Sequence, residues 1–466
     1  MMFALVAAAT ALLFLLTVWK PSIGIDVLFA EAILGGNGRW LELMGGALTP
    51  RYFIFVAVFG GWTVHKILTG MQLARVRMWF LPLLFGCVLA FGVIHARQLG
   101  NNAILGEAQV WLYLLVYPII VDLNRREHGY AFRLLRRVIV WIFAMTLVQL
   151  VIMVSVNTLP AARLVLRNVP LTRMRIVVAD LGAFGFFTVF WGNCAIATIA
   201  VAVPFLLLSA RGQTPLFKRS GLWTMAILAS VGLVGTWTRG IWGQLVAVLV
   251  MVAIDYFWRG KLPLRIIVGI AMMIALGIGG IAWFPAARQS FVSRFEKLLP
   301  SERAGLDPTD SIVVKATERE NLRKAIATRP WSGFGFGEGD FHQFGLEEAS
   351  RFHNFFLGFA LKTGWIGMAI LLAMLFAICW RAFRIGLRRS SGRSGLILRG
   401  IVYALFWGMA ASTSNPHIAT PAFILSIGLL MALTDVTERA SLVARVRYRI
   451  HENKHLRRQL QFDAAP

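Results

Sequence analysis

Charged side chains are scarce in this chain: 15% of its 466 residues, against 58% hydrophobic and 12% aromatic. A soluble domain draws roughly a quarter of its residues from Asp, Glu, Lys and Arg, so that class is excluded. Acid is scarcer still, with 22 Asp and Glu against 47 Lys and Arg and a formal charge of +25. In a soluble protein such an excess would suggest nucleic acid. Here most of the cations sit in short connectors between apolar runs, where anionic lipid headgroups are the simpler partner. There are only three cysteines, and Cys87, Cys194 and Cys379 fall in separate apolar segments, which argues against a disulfide framework or a metal knuckle. The signatures of soluble enzymes are missing too: no Walker loop, Rossmann fingerprint, HExxH or GxSxG.

What the chain does have is apolar length. Runs able to cross a hydrocarbon layer of about 30 Å fall near 3–19, 52–70, 79–97, 103–121, 138–157, 184–209, 222–237, 241–258, 264–284, 353–380, 397–413 and 418–434. The fold class expected is therefore an all-α polytopic membrane protein with about 12 transmembrane helices. The first run lacks a basic segment before it and a small-residue cleavage site after it, so it is read as a retained span. Lys and Arg concentrate in connectors 71–78, 122–137, 210–221, 259–265 and 381–399, which places these on the cytoplasmic side. Both termini are then cytoplasmic, and 20–51, 158–182, 237–240, 285–352 and 414–420 lie outside. The expected division is 1–284, nine membrane helices; 285–352, an outer loop domain capping a cavity; 353–434, helices ten to twelve; and 435–466, a basic cytoplasmic tail.

The outer loop 285–352 balances ten basic against ten acidic side chains and reads as two amphipathic helices followed by a glycine-rich turn. One helix covers roughly 286–299. The other covers roughly 310–328, where Ile312, Lys315, Arg319, Leu322 and Ile326 keep helical spacing, and it stops before Pro330. Glu318 and Glu320 on this helix read as part of a solvated face, with one of them available to pair with an arginine. Gly333, Gly335, Gly337 and Gly339 alternate, which lets backbone fold tightly beside another element. The loop delivers His353 to the start of a long apolar helix, and an ionisable group at a membrane boundary needs a partner, a wet cavity or a task.

His353-Asn354, nine residues, then Gly364-Trp365-Ile366-Gly367 resembles the H-N-x9-G-x-x-G signature of the O-antigen ligase and O-antigen polymerase family of membrane glycosyltransferases. The preceding RPWSGFGFGEGDF is similar to that family's approach to the signature. The resemblance implies transfer of a glycan from undecaprenyl diphosphate to an acceptor hydroxyl on the periplasmic face of the bacterial inner membrane. It also implies an inverting, metal-independent reaction without a cofactor. His353 suits the base, because a neutral imidazole can take the hydroxyl proton as the new bond forms. Asn354 would cap the helix or orient substrate.

The leaving diphosphate calls for fixed cations. Arg239 in TWTRG, at the outer end of a hairpin, matches the family's arginine and offers a planar fork to phosphate oxygens. The family implies a second cation from the loop after the fifth span, where Arg163, Arg167, Arg173 and Arg175 stand; Arg175 is nearest the next span and Arg173 follows. His342 and His417 also face outward, and His65 and His95 near span ends read as structural. No DxD-like carboxylate pair faces outward, so no metal site is expected. Within the family the acceptor is lipid A-core for a ligase, the favoured reading, or a second lipid-linked glycan for a polymerase. A related mechanism would use a carboxylate of the first outer loop, Asp26 or Glu31. A transporter or lipid-linked sugar flippase would also span the membrane many times, but the chain shows no matching halves.

Overall fold

The computed structural model describes residues 2–34, 50–70, 72, 74–101, 104–158, 176–180, 187–191, 194–208, 216–236, 250, 253–254, 311–337, 341–346, 352–388, 392–413 and 420–463. These are almost entirely helical. In chain order the helices are α1 (Met2–Trp19), α2 (Pro21–Leu34), α3 (Pro50–Thr69), α4 (Phe80–Gln98), α5 (Ile104–Ala108), a 3-10 turn Gln109–Leu115, α6 (Val116–Arg126) and α7 (Tyr130–Thr158). They continue with α8 (Cys194–Leu208), α9 (Arg219–Thr236), α10 (Ser311–Thr328), α11 (Phe355–Leu387), α12 (Gly392–Ala411) and α13 (Pro421–Asp463). Five segments among the described residues are long and apolar enough to cross a membrane: Arg51–Thr69, Phe80–Gln98, Tyr130–Ile152, Phe355–Leu387 and Pro421–Val443. The last is 72% buried, against 22–39% for the others, so α13 forms the centre of the bundle and the rest surround it. It runs without a break from the core into the basic tail, 43 residues or roughly 65 Å.

Two expectations are corrected. Where 158–182 was expected as loop and a span from 184, an antiparallel pair forms, β1 (Ile176–Asp180) with β2 (Phe187–Trp191), Val178 opposite Val189. The β-branched and aromatic runs IVVAD and FTVFW suit strands better than a helix, and α8 begins only at Cys194. Residues 20–51 are not simply an external loop, because Pro21–Leu34 is a helix with Ile25, Leu28 and Phe29 buried. Hydropathy undervalues it because it carries Asp26 and Glu31. Both acids are paired, Asp26 with Arg137 of α7, and Glu31 with Arg51 of α3 at 2.9 Å.

This added helix changes the topology. Phe14 packs on Gly60, Thr17 on Gly61, and the Val18 carbonyl accepts from His65 Nδ1 at 2.6 Å, so α1 runs parallel to α3. Both therefore end beside the basic connectors 71–78 and 122–137. The Arg77 backbone N–H donates to Asp435 at 2.8 Å, which brings α13 out at that same basic end. The start of α1 and the tail consequently lie at opposite ends of the bundle, not on one side as the count of twelve spans required.

At the other end, α11 is interrupted. Gly364 has φ 68° and ψ 179°, and the helix kinks there. Backbone from the glycine-rich segment fills the gap: Phe334 N–H donates to Leu361 O, Gly335 N–H to Lys362 O, and Trp365 N–H to Pro330 O, each at 2.8 Å. From the other side, Asn101 Nδ2 donates to the carbonyls of Phe334 and Phe336 at 2.9 and 3.1 Å, and His95 Nε2 lies 3.3 Å from Gly333 O. Non-helical backbone at such a place needs its polar groups satisfied by protein, and here α4 and α11 supply the partners. Glycine is required at the crossing. A Cβ on Gly364 would lie 2.0 Å from the Trp331 carbonyl oxygen, and one on Gly333 would lie 2.6 Å from Gly364 N. The two halves of the sequence motif are thus one interlocked unit.

Candidate active site

Three elements meet where α11 begins: α10, α11 and the end of α12. Asn354 is the N-cap, with its Oδ1 accepting from Leu357 N–H at 3.1 Å, and the helix proper begins at Phe355. His353 is therefore one residue before the cap, at a bend in the chain that precedes the extended Asn354. Phe355 N–H donates to Ser412 O at 3.0 Å, which ties this start to the end of α12. Arg319 of α10 donates to Thr413 O at 3.3 Å, bringing α10 to the same place.

Glu318 of α10 holds the histidine at two points. Its Oε1 accepts from the His353 backbone N–H at 2.7 Å, and its Oε2 lies 2.6 Å from His353 Nδ1. A carboxylate only accepts, so Nδ1 carries the proton and, in the neutral ring, Nε2 keeps its lone pair. The histidine side chain is 43% exposed while the glutamate side chain is 15% exposed. The grip fixes both ring orientation and tautomer, as a buried carboxylate does for an acid–base histidine. As imidazolium, the ring would be stabilised by the same carboxylate. The arrangement can receive a proton at Nε2 and return it.

Below this pair lies a buried cation. Lys362, two turns into α11, is 7% exposed and pairs with Glu107 of α5. The second oxygen of Glu107 accepts from Gly337 N–H at 3.0 Å, so one carboxylate fastens the lysine and the glycine-rich segment together. The Lys362 ammonium also sits 5.9 Å from the Phe352 ring centre, next to His353. Sequence reasoning missed Glu107 and Lys362, which lie 255 positions apart.

Glu318 was also missed, though a signal existed. It stands four residues before Leu322 and eight before Ile326, 0% and 2% exposed, so helical spacing puts it on the inward stripe. Glu320 points the other way, its side chain 67% exposed and bonded to Lys324 at 2.8 Å, which holds its carboxyl below the usual range. The solvated-face expectation is thus right for Glu320 and corrected for Glu318. His65 and His95 are structural as expected, each against a main-chain carbonyl. Asp26 is bound to Arg137 and Tyr130 near the basic end, far from His353, which removes it as the carboxylate of a first-loop mechanism, and Glu31 is paired with Arg51. Arg239, Arg173 and Arg175 lie outside the described residues, as do Arg163, Arg167 and His417.

A mainly helical bundle with several spans defines a membrane protein, and its half-open His–Glu pair lies at the end away from the basic connectors. Residues 224–372 match the family model Wzy_C, described as O-antigen ligase. Glu318, His353, Gly364 and Arg239 fall inside the match. In general terms this makes the chain a glycan-transferring membrane enzyme. No curated protein matches it. A chain from a solved structure described as structural coordination of polymerization and crosslinking by a peptidoglycan synthase complex is similar at 18% identity, over 76% of this chain and 97% of that one. The TM-score is 0.40, too low to carry an argument.

Proposed function

We propose that the protein is an O-antigen ligase: an inverting, metal-independent glycosyltransferase of the bacterial inner membrane. It takes a glycan from undecaprenyl diphosphate and joins it to a hydroxyl of lipid A-core on the periplasmic face. The observation that carries this reading is the Glu318 carboxylate holding Nδ1 of His353 while the histidine side chain stays 43% exposed. In the reaction the acceptor oxygen attacks the anomeric carbon while its proton passes to Nε2. The bond from that carbon to the diphosphate oxygen breaks, and its electron pair leaves with the lipid diphosphate. One displacement at one carbon inverts the configuration. Growing charge on the leaving group calls for guanidinium forks, the role given to Arg239 and to Arg175 or Arg173. Asn354 keeps its capping oxygen on Leu357 and holds the histidine's backbone beside the substrate.

The test is transfer by the purified full chain in EDTA, with a labelled lipid-linked glycan and either lipid A-core or a second lipid-linked unit as acceptor. Label on lipid A-core supports the ligase. Label only on a lengthened lipid-linked glycan makes the enzyme a polymerase, and label moving across a vesicle without transfer removes the enzyme reading.

A further inference from the structure

The far end of α11 carries a second site that the transfer reaction does not use. Trp380, Arg381, Arg384, Ile385, Arg388 and Glu438 line an open pocket of about 210 Å³. Glu438 of α13 binds Arg381 at 2.8 Å and Arg77 at 3.0 Å, with Arg388 at 3.7 Å. Arg384, exposed in the last turn, has no carboxylate partner among the described residues. Three guanidiniums therefore share one carboxylate and Arg384 lines the pocket beside them, so positive charge is in excess in one concave place. Headgroup attraction by loose surface cations needs no such construction. Arg381 and Arg77 are held in position by Glu438, leaving Arg384 and Arg388 to turn toward an anion. Such a fork binds a phosphate through two parallel hydrogen bonds.

Directly beneath the pocket, toward the middle of the membrane, runs an aromatic rail. Phe376 and Trp380 are 68% and 50% exposed and stack with ring centres 6.0 Å apart and planes at 10°. A ligand that is anionic at one end and apolar along its length fits both features, and a small soluble anion uses only the first. We infer that the pocket binds one anionic phospholipid, its phosphodiester among Arg381, Arg384 and Arg388 and an acyl chain along Trp380 and Phe376. A lipid bound there clamps the end of α11 to the middle of α13, at the opposite end of α11 from His353.

Native mass spectrometry of the full chain, released from detergent with phosphatidylglycerol or phosphatidylcholine present, reads this directly. The wild type retains phosphatidylglycerol and not phosphatidylcholine. The double variant Arg384→Ala/Arg388→Ala retains it roughly thirtyfold less, since each headgroup cation contributes a factor of about five. Arg393→Ala, in the same connector but outside the pocket, behaves as wild type. Inorganic phosphate in millimolar excess does not displace the lipid. Equal retention of both lipids, an unaffected double variant, an equal loss with Arg393→Ala, or displacement by phosphate would each overturn the site. Should the double variant fail to fold, Trp380→Ala decides: it loses retention if the rail holds the tail, and unchanged retention counts against the site.

Discussion

Two carboxylates in this molecule each hold a nitrogen base, and they serve different ends. Near the basic end, Asp122 takes Lys66 Nζ at 2.6 Å, Arg126 at 3.3 Å and Trp62 Nε1 at 3.4 Å, with the lysine and aspartate side chains 8% and 3% exposed. Arg126 reaches on to His65, whose other nitrogen is spent on Val18 O, so that imidazole has no open face. At the opposite end Glu318 spends both oxygens on one residue, and the ring of His353 stays nearly half exposed. A pair buried on both sides locks helices together. A pair shielded mainly on the carboxylate side leaves the ring partly exposed, as the proposed base requires.

The contrast can be broken from either side. The largest effect on stability should come from Lys66→Met, which leaves Asp122 short of a buried partner and costs about 3–5 kcal/mol. Survival of detergent-solubilised protein through a thermal ramp measures it, and transfer per folded molecule should be unchanged. Gly364→Ala comes next, because the φ 68° backbone strains any L side chain by about 1–3 kcal/mol and its Cβ meets the Trp331 carbonyl. The glycine-rich segment should detach, read as faster proteolysis between Pro330 and Gly337. Glu318→Gln should lower kcat by about 10–100-fold with KM for the donor unchanged, the scale found when an orienting partner is removed. Smallest of all, Glu320→Gln should leave rate and melting alike, since that carboxylate bonds only exposed Lys324 among the described residues.

Much of the half around His353 was legible in sequence because its signals are local. The stop before Pro330, the helix over 311–328 and the capping asparagine depend on neighbours within a few residues. Glycines at 333, 335 and 364 announced a close approach but not their mutual partner, because backbone pairing between segments thirty residues apart leaves no periodic trace. Pro21–Leu34 was hidden by its own acids, which hydropathy counts as charges although Arg137 and Arg51 neutralise them in the fold. Glu107 and Lys362 were invisible for the same reason: each is a charge made tolerable by a partner remote in the chain. Glu318 alone was within reach, through the spacing that buries Leu322 and Ile326 on its face.

The central claim is that Nε2 of His353 takes the acceptor proton. It is tested most directly by single-turnover transfer at saturating lipid-linked donor, comparing wild type with His353→Ala. Loss of the base should slow transfer by about 10²–10⁴, with donor binding and the melting profile preserved. Transfer by the variant at the wild-type rate would contradict the account.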